Sequence, residues 1–167
     1  MKKVNEILII LFCMLLISSC ARQRYIGQHD FAERFNEGSQ SVKIAEDGYY
    51  EKDNEYNFFA KSENLRQILI SLKQNEKLFV TSAKMTVIKN SEDLSDLEKE
   101  ELVKTVVSIL SVICNTDEEE ISNKLSETEF DNSKFDFVKN TESFEIMKAD
   151  CFFYSNNEMI FFKVEIK

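Results

Sequence analysis

The chain of 167 residues has no proline, no tryptophan, three glycines and a single histidine. The shortage of proline and glycine excludes a collagen-like, low-complexity or loop-dominated protein. Three glycines can hardly supply a glycine-rich phosphate loop. With His29 as the one imidazole, a Ser-His-Asp or Cys-His arrangement would have only that residue to use. His29 stands beside the N-terminal tether and reads as a solvated linker position. No histidine and cysteine spacing suggests zinc. The acidic run Asp117 to Glu120 lacks the alternating ligands and turn glycine of a calcium loop, and reads as the negative first turn of a helix. Neither metal nor cofactor is expected.

What is present is apolar and acidic. Hydrophobic residues make up 43% of the chain, fourteen of them Phe, against a formal charge of -9. That composition suits a packed core. No repeat at a fixed period stands out.

One apolar run is long enough to matter. Lys2 and Lys3 lead into Ile7 to Ile17, and the run closes on Ile17-Ser18-Ser19-Cys20. It is short of the roughly twenty apolar residues a membrane-spanning helix needs. An ordinary secretory signal would share the charged start and the small residues at the end, but would not need the cysteine there. The stretch resembles a bacterial lipoprotein signal peptide with its lipobox. The resemblance implies cleavage before Cys20, a diacylglyceryl group on that thiol, and lasting attachment to the extracytoplasmic face of a membrane, since two or more acyl chains hold where one does not. It extends over twenty residues and carries no information on the domain behind them. The expected organisation is a signal peptide over 1–19, a lipidated tether over 20–29 and one domain over 30–167. The mature chain would keep nineteen Lys and Arg against twenty-nine Asp and Glu, a formal charge of -10. Such a surface repels nucleic acid.

With Cys13 in the signal and Cys20 lipidated, the mature fold keeps Cys114 and Cys151. A bridge between them would contribute roughly 4 kcal/mol in the chain-entropy model. The other reading is two buried thiols on apolar faces.

The elements follow from periodicity. Asp30, with Glu33 three residues on, is expected to cap a helix carrying Phe31 and Phe35 and ending at Gly38. Residues 41–61 read as strands divided by turns at Asp47-Gly48 and Asp53-Asn54. Leu65, Ile68, Leu69 and Leu72 follow helical spacing from Ser62. Leu78 to Lys89 reads as a strand with Phe79, Ala83, Met85 and Val87 on one face. Ser95-Asp96-Leu97-Glu98 opens the longest helix, with two apolar stripes along Leu102 to Cys114, and Thr116 to Glu119 opens a shorter one with Ile121 and Leu125 inward. Three strands are expected after it, at 135–139, 144–155 and 158–167, with turns at Asn140-Thr141 and Asn156-Asn157. The sum is an α+β domain: one twisted antiparallel sheet with helices mainly on one face.

A two-residue turn at Asn156-Asn157 would set Ser155 opposite Glu158, and with it Phe153 opposite Ile160 and Cys151 opposite Phe162. The other face would pair Tyr154 with Met159, Phe152 with Phe161, Asp150 with Lys163 and Lys148 with Glu165. Phe152, Tyr154, Met159 and Phe161 would then form an apolar cluster, either a binding surface or a patch covered by the Phe31/Phe35 helix or by a loop. The function expected is that of a non-catalytic, membrane-anchored module binding another protein or envelope component. The alternatives are a purely structural envelope lipoprotein and a hydrolase using paired carboxylates.

Overall fold

The computed structural model describes residues 26–39, 41–91, 93–128 and 140–167. Helix α1 (Gln28–Gly38) precedes four strands, β1 (Lys43–Lys52), β2 (Glu55–Lys61), β3 (Gln67–Gln74) and β4 (Val80–Ile88). Helices α2 (Asp96–Cys114) and α3 (Glu118–Ser126) follow, then β5 (Asn140–Ile146), β6 (Ala149–Ser155) and β7 (Met159–Ile166). The seven strands among the described residues belong to one antiparallel sheet in the order β1-β2-β3-β4-β7-β6-β5. The protein is an α+β domain with its helices on one face of that sheet, α1 against β1 and α2, α2 against β4 and β7, and α3 against α2 and β5. No helix among the described residues is long and apolar enough to cross a membrane.

The core is built from rows that cross the strands. Phe58, Ile70, Met85, Phe162 and Phe153 stand opposite one another in β2, β3, β4, β7 and β6, and each is fully buried. Burial of such side chains contributes about 1.5–3 kcal/mol each. Above them lie Leu102, Val106, Ile109 and Leu110 of α2, all fully buried. Val103 and Cys114 are half-buried at the margin of that face.

Helix α2 starts where its sequence says. The Ser95 hydroxyl accepts from the Glu98 N–H at 3.3 Å, and the Glu98 carboxylate accepts from the Ser95 N–H at 2.8 Å. Burial opposes ionisation of Glu98. The bonds from the Ser95 backbone and hydroxyl and from Asn90, with the nearby charge of Lys89, outweigh it and hold the carboxyl below its ordinary range. The helix ends at Asn115, whose φ of 51° is the left-handed stop common there.

Several expectations are corrected. The caps of the other two helices differ from those read in the sequence. Gly27 is the N-cap of α1, and Asp30 sits inside the first turn with its carboxylate accepting the Gly27 N–H at 3.3 Å. Ile26 is buried and His29 is helical. Asp117 precedes α3 without a side-chain cap, while the Thr116 hydroxyl donates back to the Cys114 carbonyl at 3.2 Å. Ile121 and Leu125 are buried as expected.

The segment read as a helix from Ser62 is strand β3. Leu65, Ile68, Leu69 and Leu72 fit helical spacing, but Ile68, Ile70 and Leu72 fit a period of two equally well. Pairing with β2 on one side and β4 on the other decides for the strand. The Ser62 hydroxyl accepts the Leu65 N–H at 2.7 Å and so forms a turn instead of a cap. Asp47-Gly48 is no reversal either: the ladder between β1 and β2 slips between Ile44 and Tyr49 and then resumes. Asp53-Asn54 is a true turn, with φ of 55° and 62°. In β4, Ala83, Met85 and Val87 face the core as expected, but Phe79 lies before the strand and is half-buried.

In the C-terminal part, Asn140-Thr141 begins a strand, and the expected strand 144–155 is two, β5 and β6, reversed at Met147-Lys148. The expected strand at 135–139 lies outside the described residues. The β6–β7 register is two residues away from the expected one. Ser155 faces Ile160, Phe153 faces Phe162 and Cys151 faces Val164. The cause is Asn156, whose side-chain oxygen accepts the N–H groups of Glu158 and Met159 at 2.9 and 2.8 Å and closes a wider loop. A shift of two keeps every residue on its face and changes only its partner. Asp150 therefore faces Glu165 instead of Lys163. The charges are neutralised elsewhere, Lys163 with Glu165 along the same strand and Lys167 with Glu145 and Asp150.

Candidate functional site

The face of the sheet turned away from the helices is the candidate site. Strand alternation that sends Phe58, Ile70, Met85, Phe162 and Phe153 into the core sends their neighbours outward. The register aligns those neighbours into a row: Phe59 faces Leu69, Leu69 faces Thr86, Thr86 faces Phe161, and Phe161 faces Tyr154. Among the described residues no helix packs on this row. Phe59 is 57% exposed and Tyr154 36%, with Leu69 and Phe161 half-buried between them. Tyr50 extends the row onto β1, its ring 5.9 Å from that of Phe59.

All four residues expected to form the apolar cluster are on this face. The Phe152 and Phe161 rings are 6.2 Å apart, and Tyr154 stands directly opposite Phe161. Met159 pairs with Ile88 at the far margin and not with Tyr154. The Phe31/Phe35 helix does not cover them, because both rings are fully buried in the core on the opposite side. Phe59, Leu69 and Tyr50 belong to the same surface and are absent from the expected cluster. Reading residues 62–72 as a helix removed the strand that links Phe59 to the hairpin.

The apolar row is bordered by fixed polar groups. The Ser71 hydroxyl donates to the Asn57 side-chain oxygen at 2.6 Å, and the Asn57 amide donates to the Glu55 carbonyl at 3.0 Å. Lys84 forms an ion pair with Glu55 across β3. Lys163 donates to Glu165 and holds that carboxyl below its ordinary range. The result is a sheet face on which Phe59, Leu69, Phe161 and Tyr154 flank Thr86, with charged and polar side chains along its border.

Cys114 and Cys151 are both free thiols. Burial pushes Cys114 up to about 11. Cys151 goes to about 12, through burial first and then the charges of Cys114 and Asp150. Cys20 lies outside the described residues. His29 is exposed on α1, its ring edge-on to Tyr49 at 5.8 Å. A cavity of about 830 Å³ opens between α2, α3 and the end of α1. Its carboxylates face hydroxyls and ammonium groups, Glu118 accepting from Ser108 at 2.6 Å and Glu100 from Lys104 at 2.6 Å. Among the described residues no group of three His, Cys, Asp or Glu side chains could hold a metal ion.

Comparison with family models, with curated proteins and with solved structures finds no match to this chain.

Proposed function

We propose that the protein is a lipid-anchored, extracytoplasmic module that binds another envelope or surface protein through the uncovered face of its sheet, without catalysing a reaction. The observation that carries this reading is the row Phe59, Leu69, Thr86, Phe161 and Tyr154, apolar on both sides of Thr86, bordered by charge and free of helices among the described residues. Contiguous apolar surface of this kind is rare on monomers and typical of interfaces. The lipobox-like Ile17-Ser18-Ser19-Cys20 supplies the address.

The test is site-specific photo-cross-linking in intact cells. A photoreactive side chain at Phe59 or Tyr154 is expected to capture one discrete partner, and the same group at Glu119, on the exposed first turn of α3, is not. Capture that is equal at all three sites, or absent from the sheet face, would overturn the reading. Mass measurement of the mature N-terminal peptide tests the anchor separately: a diacylated Cys20 is expected, and a chain beginning at Met1 with an unmodified thiol would remove the address.

A further inference from the structure

One end of the sheet combines the point where the tether enters with the most exposed aliphatic side chain of the hairpins. The register row Lys52, Glu55, Lys73, Ser82, Glu165, Asp150 crosses the strands, and beyond it project the β3–β4 and β5–β6 turns. Leu78 in the first turn is 67% exposed and Met147 in the second 39%. The two turns are three strand spacings apart, roughly 14 Å. Both residues have backbone in the left-handed region, with φ of 63° and 54°. For a non-glycine residue this is unfavourable by roughly 1–2 kcal/mol.

The first tip is held firmly in that conformation. The Asn75 side-chain oxygen accepts the N–H groups of Lys77 and Phe79 at 3.0 and 3.1 Å, and the Leu78 N–H donates to the Asn75 carbonyl at 2.9 Å. A leucine is thus presented outward on a braced turn, where glycine would fit at lower cost.

The tether enters at this same end. The Val80 N–H donates to the Ile26 carbonyl at 2.8 Å, and Ile26 is buried. From Cys20 to Ile26 there are six peptide units, which span at most about 20 Å fully extended. The sheet itself is longer, nine residues in β4 giving about 30 Å. A lipid on Cys20 therefore keeps the Leu78 end next to the bilayer and the opposite end away from it.

We infer that the Leu78 and Met147 tips rest in the interfacial layer of the membrane that holds the Cys20 lipid, which fixes the orientation of the domain. This rests on the lipid-anchor reading above. Lys77 and Lys148 flank the tips, but Glu76 and Asp53 stand at the same end, so the contact is apolar and not a basic patch on anionic lipid.

The absence of tryptophan makes the test direct. The lipidated mature protein is reconstituted in phosphatidylcholine vesicles whose acyl chains carry bromine, with Leu78→Trp, Met147→Trp or Leu97→Trp as the sole tryptophan. Leu97 is the control: it is 63% exposed, and α2 is 19 residues long and places it at the other end of the domain, near Asn90. Emission from positions 78 and 147 is expected to shift to the blue and lose intensity, and to stay so in high salt, while position 97 is unaffected. If either variant unfolds, Lys77→Trp and Lys148→Trp replace them. Protein that floats with the vesicles but shows no quenching at 78 and 147, or equal quenching at 97, overturns the orientation and leaves the anchor standing. Protein that fails to float removes the anchor and the orientation together.

Discussion

The buried carboxylate of Glu101 in α2 accepts hydrogen bonds from Ser62 and Asn64, side chains of the link between β2 and β3. Glu101 is 3% exposed and sits on the buried side of a helix that also buries Leu102, Thr105, Val106 and Ser108. It ties the helix layer to the sheet at the end opposite Leu78. Removing it leaves two donors without their acceptor. Glu101→Ala is expected to lower stability by about 2–3 kcal/mol, and Glu101→Gln, which keeps one acceptor, by less. Urea unfolding followed by circular dichroism measures both; equal losses would mean that the carboxylate matters by volume alone.

The two faces of the hairpin should respond differently to truncation. Phe153 and Phe162 are fully buried opposite each other, and either one changed to Ala is expected to cost about 3–5 kcal/mol. Tyr154→Ser and Phe59→Ser, on the exposed row, should cost under about 1 kcal/mol while reducing partner capture. Denaturation midpoints read beside cross-linking yield separate the two effects. A large loss of stability from Phe59→Ser would place that ring in structure rather than recognition.

Thiol chemistry should be slow until the fold opens. With Cys114 raised to about 11 and Cys151 to about 12, little thiolate exists in the native state at pH 8. Alkylation by iodoacetamide is expected to be slow at both, slower at the buried Cys151, and fast after denaturation. The same shifts predict a pH dependence. Both folded values lie above the ordinary thiol value of 9.0, so the unfolded chain loses its protons first. Stability is then full below about pH 8.5 and declines as pH rises toward the folded values. Replacing both cysteines with Ala should flatten that decline in urea midpoints between pH 8 and 10.

Leu78→Gly relieves the left-handed backbone at the β3–β4 tip and should raise the thermal midpoint, with a gain of up to about 1 kcal/mol. On the membrane it should weaken the ordering of that end. Calorimetry of the soluble domain, made by replacing Cys20, reads the first effect without the second.

The parts legible in the sequence are those in which several local signals agree. Helix α2 joins a Ser95–Glu98 box to two apolar stripes, and its boundary at Ser95 follows from a bond that forms within one turn. The inward and outward sets of β6 and β7 were legible for the same reason, since alternation is local. The partners across that hairpin were not, because the side chain of Asn156 and not a two-residue turn sets the loop. β3 has two periodicities at once, and only its flanking strands choose between them. The candidate site needs β4 beside β7, a pairing of Thr86 with Phe161 far apart in the chain. Residues Phe152, Tyr154, Met159 and Phe161 could therefore be found as one cluster, but not their continuation through Leu69 to Phe59.

The slip in the ladder of β1 between Ile44 and Tyr49 has a bearing on crowding. Among the described residues β1 is a border strand, and a straight border offers an even series of amide groups to any molecule of the same kind that drifts alongside. The irregular step breaks that series into two short stretches out of phase. Two copies that meet edge to edge then find no even series along which to fuse into a growing ribbon.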